Sequence, residues 1–161
     1  MNSLNLREKF AGFVLIAIGS IYLILFLISF AGNQANVVNM DEKDIRINRY
    51  ELLGYIRSML IIFYTILGAV LLFRVRKAGW IFSLAILPVF LIMLGGGWYQ
   101  LIQLELIDFT LILLILGTVI MVLTVLFLLL PSCRRKLGLQ KRDYSITLVL
   151  AVVNLVVFFL L

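Results

Sequence analysis

The chain has 161 residues, of which 64% are hydrophobic and only 14% are charged. Globular domains are typically about 45–50% apolar and about 25% charged, so these charges are too few to cover a water-soluble surface. A mean hydropathy of +1.17 and long uncharged runs are typical of a protein embedded in a lipid bilayer. This composition excludes a water-soluble enzyme.

Two residue types that carry much of enzyme chemistry are nearly missing. The sequence has no histidine and a single cysteine, Cys133. These counts remove haem ligation by histidine, the usual zinc and di-iron ligand sets, and nucleophile pairs that use histidine. One cysteine cannot form an internal disulfide bond or a CxxC motif. We therefore expect no cofactor, no metal site and no catalytic residues.

Charge-free stretches predict an all-α polytopic membrane bundle of five transmembrane helices, which forms a single transmembrane domain over residues 1–161. About 20 helical residues cross a hydrocarbon core of roughly 30 Å. The first and fourth uncharged stretches reach this length, and the other three need flanking residues. The predicted helices cover residues 10–30, 53–73, 79–94, 106–131 and 144–161.

The first apolar segment has two interpretations. Arg7 and Lys9 precede it, and Ser29-Phe30-Ala31 is similar to the small-residue cleavage site of a signal peptide. The run is longer than the apolar core of a signal peptide, which has about 7–15 residues. We interpret it as a transmembrane helix. Its small residues Gly12, Gly19 and Ser20 recur near heptad spacing and predict close approach of a second helix.

Two connecting segments interrupt the predicted helices on the outer side. Residues 31–52 are too few to bury a core of their own, so we expect a loop that caps the outer helix ends. Gly95-Gly96-Gly97 is predicted to end the third helix, and the residues from Trp98 to Glu105 to lie along the outer surface. A tight connection at the glycines is favoured over a mobile outer gate.

The distribution of basic residues predicts the orientation. With the N-terminus in the cytoplasm, the inner segments hold ten Lys and Arg residues and two acidic residues. The outer segments hold four Lys and Arg residues and six acidic residues. The inner side is thus net +8 and the outer side net −2, as the positive-inside rule requires. Trp80 and Tyr144 begin helices on the inner side, where aromatic residues are common. Five spans leave the C-terminus outside.

A few polar or helix-breaking residues lie near the middle of the predicted helices, namely Ser20, Thr65, Pro88, Thr118 and Asn154. Lipid offers them no hydrogen bonds, so they should face other helices. One interpretation is a polar pathway for a solute or ion, to which Pro88 would contribute by leaving the carbonyl of Leu84 without its helical hydrogen bond. The favoured interpretation is hydrogen bonding between packed helices, which contributes about 0.6 kcal/mol per bond on average.

Arg57 is the charge predicted to lie deepest on the outer side. The uncharged stretch that follows it is too short to span the membrane, so Arg57 lies below the outer interface or extends its side chain up to it. Glu105 and Asp108 are expected at a similar level. We therefore predict an outer-leaflet ion pair between Arg57 and one of these carboxylates, with an arginine extended to the headgroups as the alternative.

Clusters of basic residues are predicted on the inner side, where they would attract anionic lipid headgroups. No stacking aromatic residues are interleaved with them, so nucleic acid is not an expected partner. The clusters comprise Arg74, Arg76, Lys77, Arg134, Arg135, Lys136, Lys141 and Arg142.

The leading functional hypothesis is a non-enzymatic multi-pass protein of the bacterial inner membrane that acts by assembly. Its partners would be the lipid bilayer and either other membrane subunits or further copies of itself. A small channel or transporter that uses the polar pathway is the first alternative. A lipid-modifying membrane enzyme is the second alternative, and it lacks a recognisable catalytic set in the sequence.

Overall fold

The computed structural model describes residues 5–37, 49–104 and 109–159. This part of the chain is entirely helical and contains no strand. Its six helices are α1 Leu6–Val37, α2 Arg49–Phe73, α3 Lys77–Leu104, α4 Phe109–Leu129, α5 Pro131–Leu137 and α6 Lys141–Phe159. Five of them, all except α5, are long and apolar enough to cross a membrane. The prediction of an all-α chain with five helices of this kind is thereby confirmed for the described residues.

Helix α3 is the central element of the bundle. It packs against α2, α4 and α6, while α1 packs against α2 and α4. Helices α1 to α4 therefore form a closed four-helix arrangement, and α6 adds to it through α3. Within the apolar window of α3, 44% of the residues are buried, against 11% in α1. The core thus lies around α3, with large aliphatic side chains such as Ile86 and Leu87 fully buried.

The consecutive long helices pack antiparallel, which collects the basic segments at one end. Trp80, at the start of α3, contacts the end of α4 through Leu128 and the start of α6 through Tyr144. Glu8 at the start of α1 forms an ion pair with Lys136 of α5. We call the end formed by residues 5–12, 70–80 and 128–144 the basic end. All eight residues of the predicted inner clusters lie there, in the connection between α2 and α3, at the starts of α3 and α6, and in the short helix α5.

Small residues allow α1 to approach α2 closely, as their spacing predicted. A Cβ atom added to Gly12 would lie 2.7 Å from Cζ of Phe73. One added to Gly19 would lie 2.6 Å from both Cγ1 of Ile66 and Oγ1 of Thr65. Neither position has room for a larger side chain unless α2 or its side chains move.

The prediction that Gly95-Gly96-Gly97 ends the third helix is wrong. Helix α3 continues through all three glycines to Leu104. Its last residues therefore extend the helix and are not a separate segment lying along the surface. A glycine costs a helix only about 0.5–1 kcal/mol relative to alanine. Breaking the helix would leave several backbone groups without hydrogen bonds, which costs more where water is absent.

Several helix bounds also differ from the predicted ones. Helix α1 runs from Leu6 to Val37, so it extends into the segment 31–52 that was predicted as a loop. The residues 38–48 of that loop lie outside the described part of the chain. Helix α5 was not predicted. It begins at Pro131, which is favourable at a first helical position, and it ends at Leu137, where Gly138 caps it with a left-handed φ of 60°.

Candidate functional sites

Asn154 joins α6 to the central helix. Its side chain is buried, with 2% exposure, and Nδ2 donates a hydrogen bond to the carbonyl oxygen of Ala85 over 3.1 Å. Ala85 lies three residues before Pro88, in the turn that the proline deprives of one N–H donor. The sequence predicted a freed carbonyl at Leu84, and the carbonyl that Asn154 contacts is that of the next residue. The arrangement satisfies a buried amide at the interface of α3 and α6.

Thr65 lies at a different interface, between α2 and α1. It is fully buried, and its hydroxyl donates to the backbone of its own helix, to the carbonyl oxygen of Ile61 at 2.6 Å. The other side of the hydroxyl faces Gly19 of α1. Ser20, the next residue of α1, is half-buried. Because the hydroxyl already donates to its own helix, it needs no acceptor on α1 and can lie in a close contact between the two helices.

Thr118 lies at a third interface, between α3 and α4. Its hydroxyl donates to the carbonyl oxygen of Leu114 at 2.7 Å and accepts a hydrogen bond from Nε1 of Trp98 at 3.0 Å. Trp98 therefore packs against α4, whereas the sequence predicted that it lies along the outer surface. Nearby, a Cβ atom on Gly97 would lie 2.9 Å from Cδ1 of Leu114. The glycine brings α4 close enough for the Trp98 bond to form.

The polar residues near the middle of the helices thus do not meet in one place. Thr65 lies between α1 and α2, Thr118 lies between α3 and α4, and Asn154 lies between α3 and α6. Each of the three side chains has a hydrogen-bond partner, which for Thr65 is its own helix and for Thr118 and Asn154 includes a residue of α3. A continuous polar pathway would need these groups to line a common cavity. The cavity of about 490 Å³ between α1, α3 and α4 is lined almost wholly by apolar side chains.

Arg57 is half-buried on α2. It lies on the same helical stripe as Ile61, Gly68 and Leu72, of which Gly68 contacts Ser83 of α3. Its Nε atom is buried and has no hydrogen-bond partner among the described residues. Both predicted partners, Glu105 and Asp108, lie outside the described residues, so the outer ion pair stays a prediction.

Aromatic and basic side chains join α3, α4, α5 and α6 at the basic end. Trp80 is 1% exposed and its Nε1 donates to the carbonyl oxygen of Leu128 at 2.8 Å. That carbonyl belongs to the last turn of α4, whose carbonyl groups have no N–H partner within the helix because α4 ends before Pro131. The Trp80 ring packs edge-on against Tyr144 at 5.2 Å, and the Arg134 guanidinium lies 5.4 Å from the centre of the Tyr144 ring. The latter is a cation–π contact.

A buried ion pair that sequence reasoning missed fixes α1 to α5. Nζ of Lys136 donates to Oε2 of Glu8 at 3.0 Å and to Oδ1 of Asn5 at 3.3 Å. The same Oε2 accepts the backbone N–H of Asn5 at 2.8 Å, which is the return bond of a helix capping box. The spacing of Asn5 and Glu8 is a signal for that cap, but nothing in the sequence indicates Lys136. The Glu8 side chain is 3% exposed and its Oε1 has no partner among the described residues.

The other basic residues of this end are less constrained. Lys77 lies 3.9 Å from Oδ2 of Asp143, and its side chain is 44% exposed, so this pair contributes little to stability. Asp143 accepts the backbone N–H of Gln140 and so caps α6. The remaining exposed cations of the predicted inner clusters face away from the packed helices, as residues that meet headgroups would. They are Arg74, Arg76, Arg135, Lys141 and Arg142.

Comparison with protein-family models, with curated proteins and with solved structures finds no match to this chain. Its function is therefore argued from its own residues and their contacts.

Proposed function

We propose that this protein is a non-enzymatic multi-pass membrane protein that acts by assembly, either as an accessory or scaffold subunit of a membrane complex or as a homo-oligomer. The proposed location is the bacterial inner membrane. The basic end faces the cytoplasm, together with the N-terminus, and the C-terminus lies outside. The concentration of basic residues at one end supports this orientation through the positive-inside rule.

The observation that carries the proposal is the separation of the polar side chains. Thr65 lies between α1 and α2 and bonds to its own helix, whereas Thr118 and Asn154 each bond to α3 across a different interface. A channel or transporter requires groups that converge on a hydrated path, whereas a packed scaffold requires each polar group to be satisfied by a neighbour. The contacts of these three residues support the second arrangement, and Ser83 of α3, whose buried Oγ has no partner among the described residues, is an exception to it.

The exposed sides of the helices are the surfaces available for assembly. Helix α6 packs mainly on α3, and one of its sides presents large apolar side chains such as Leu148 and Val152. Helix α1 leaves Ile24 and Ile28 exposed beyond its contacts with α2. Apart from the ends of its helices, a protein of this size offers a partner chiefly such membrane-facing sides.

The decisive experiment measures the mass of the complex in which the protein resides. The full chain is extracted in a mild detergent, its mass is measured by size-exclusion chromatography with light scattering, and proteins cross-linked to it in the native membrane are identified by mass spectrometry. We expect a homo-oligomer or a stoichiometric partner. A monomer with no cross-linked partner in either setting would contradict assembly.

Liposome flux separates the proposal from the channel alternative. The purified chain is reconstituted and ion flux is measured for the unmodified protein, for Asn154→Leu and for the matched control Val153→Leu, whose position is exposed. We expect no flux above protein-free liposomes for any of the three. Flux that Asn154→Leu abolishes and Val153→Leu preserves would overturn the scaffold proposal in favour of conduction.

A further inference from the structure

Two adjoining cavities lie at the basic end, beside the start of α1. One, of about 320 Å³, is lined by residues 5–8 at the start of α1, of which only Leu6 is apolar, and by Leu130 and Ser132. The other, of about 390 Å³, is almost wholly apolar and lies under Phe10, Phe13 and Phe127. They share two lining residues, Leu6 and Arg7. Side by side, they form an amphipathic site that is polar at one end and apolar at the other.

We infer that these cavities bind one molecule of an anionic phospholipid whose headgroup carries a hydroxyl group, of the phosphatidylglycerol class. Its phosphate is held by Arg7 and Lys9, its headgroup hydroxyl donates to Glu8, and an acyl chain lies along the phenylalanine-lined cavity. This inference rests on the membrane placement proposed above, since such a ligand is supplied by a bilayer.

The charges at the site select an anionic ligand. Arg7 lines both cavities and Lys9 lines the apolar one. Both side chains belong to exposed residues, so neither is used within the bundle. The first turn of α1 adds backbone N–H groups and the positive end of the helix dipole. A phosphate is the group that meets both kinds of donor.

Glu8 supplies the second, independent observation. It lines the polar cavity, and its Oε1 atom is buried with no hydrogen-bond donor among the described residues. A buried carboxylate oxygen without a donor is destabilising, so among the described residues the site lacks a donor, which a ligand can bring. Lys136 already balances the charge of Glu8 at 3.0 Å. The donor that fits is therefore a neutral hydroxyl and not a second ammonium group.

The apolar cavity accounts for the rest of the ligand. Phe10 and Phe127 pack edge-on at 5.6 Å and hold α1 against α4, while Phe13 is 64% exposed. Aromatic walls open to the membrane side offer an apolar surface along which an acyl chain can lie. A free phosphate or a soluble headgroup would leave this surface uncovered.

The test titrates the detergent-solubilised full chain with single lipids and reads each dissociation constant by native mass spectrometry. Phosphatidylglycerol is compared with phosphatidylmethanol, which has the same charge and no headgroup hydroxyl, and with phosphatidylethanolamine and phosphatidylcholine. We expect phosphatidylglycerol to bind about tenfold more tightly than phosphatidylmethanol, the ratio that one additional hydrogen bond to a carboxylate supports. Equal binding of these two, or tighter binding of either zwitterionic lipid, would overturn the assignment.

Variants locate the site. Arg7→Gln should weaken phosphatidylglycerol binding about fivefold, while Arg76→Gln, an exposed basic residue of the same end outside both cavities, should leave it unchanged. Glu8→Gln should reduce the preference over phosphatidylmethanol, because a neutral amide oxygen is a weaker acceptor than a carboxylate. Equal effects of Arg7→Gln and Arg76→Gln would indicate only general attraction to basic residues. If Glu8→Gln does not fold, the lipid comparison on the unmodified chain still decides the matter.

Further measurements test the role of the apolar cavity and distinguish failure of the lipid site from failure of the proposals on membrane placement and assembly. Glycerol 3-phosphate, the headgroup without acyl chains, should bind far more weakly, and equal binding would remove the role of the apolar cavity. Release of the protein from membranes by alkaline carbonate would contradict the membrane placement itself. A monomer that still selects phosphatidylglycerol would contradict assembly and leave the lipid site standing.

Discussion

Asn154 is the residue whose side chain ties α6 to the core, through its 3.1 Å bond to the carbonyl oxygen of Ala85. Asn154→Leu keeps a similar size and removes this bond. Because hydrogen bonds between helices in membranes contribute about 0.6 kcal/mol on average and about 1.7 kcal/mol at most, we expect a loss of unfolding free energy in that range. The measurement is equilibrium unfolding of the purified chain by SDS in mixed micelles.

The control for this prediction lies one residue earlier on the same helix. Val153 is 48% exposed, so Val153→Leu should change the unfolding free energy by less than about 0.5 kcal/mol. Equal stability of Asn154→Leu and the unmodified chain would show that the bond holds no net stability. It would then serve only to satisfy the buried amide.

Cys133 provides a prediction about pH. Burial and the nearby Glu8 carboxylate raise the pKa of its thiol from 9.0 to about 11. Since the thiolate is the reactive form, iodoacetamide should modify the folded chain slowly at about pH 8 and appreciably only as the pH approaches 11. Unfolding in SDS should restore ordinary thiol reactivity. Mass spectrometry of the alkylated chain gives both rates.

The same raised pKa has a consequence for stability. A thiol that is harder to ionise in the folded state stabilises that state fully below its ordinary pKa of 9.0, and the contribution is lost as the pH rises through about 11. Cys133→Ala should therefore flatten the decline in stability over this interval. Equal alkylation rates in the folded and unfolded chain at about pH 8 would contradict the buried, neutral thiol.

At the scale of the helix, the glycines of α3 differ in how much space surrounds them. A Cβ atom on Gly79 would collide with the backbone of Leu71 and Leu72, whereas one on Gly96 has no atom within 4 Å. Gly79→Ala should lower the unfolding free energy by about 1–3 kcal/mol, because α2 would have to move away. Gly96→Ala should raise it by about 0.5–1 kcal/mol through the helix preference of alanine.

SDS unfolding of both alanine variants is the measurement, and each is the control for the other, since the chemical change is identical. Two losses of similar size would mean that the glycines after residue 94 are needed for packing or flexibility. Two gains would contradict the close contact between α2 and α3.

The helices themselves were largely predictable from the sequence, and their ends were not. An uncharged run long enough to cross a bilayer has few alternatives to a helix, which is why all five were found. The same constraint explains the error at Gly95-Gly96-Gly97, where rules for turns in water were applied to a helix that continues to Leu104. Helix α5 is seven residues long and too short for a periodic signal, although Pro131 marks its start.

The contacts between helices could not be predicted from the sequence, because they depend on which helix faces meet. Asn154 was recognisable as a group that needs a partner, yet the choice of Ala85 follows from the packing of α6 on α3. Glu8 and Lys136 are 128 positions apart, and no local pattern relates them. Gly12 and Gly19 were informative because their small size alone predicts a close neighbour.

At the scale of the molecule, the antiparallel packing gives the bundle two chemically different ends. Basic residues occupy the connections between α2 and α3 and between α4 and α6. Buried contacts of Trp80 and Lys136 hold those connections together. The end that the positive-inside rule directs to the cytoplasm is therefore also a well-packed end. Anionic lipid bound beside α1 would add to the same bias.

This asymmetry predicts the orientation, which labelling of single cysteines can measure. In a Cys133→Ala background, Gln140→Cys places an exposed thiol at the basic end without removing a charge, and Asn39→Cys places one in the segment 31–52, which the sequence predicts to lie outside. A membrane-impermeant maleimide should label Asn39→Cys in intact cells and Gln140→Cys only after permeabilisation. The background without either cysteine should stay unlabelled. The opposite pattern would invert the proposed orientation and place the lipid site in the outer leaflet, while labelling of both in intact cells would contradict a chain that crosses the membrane an odd number of times between them.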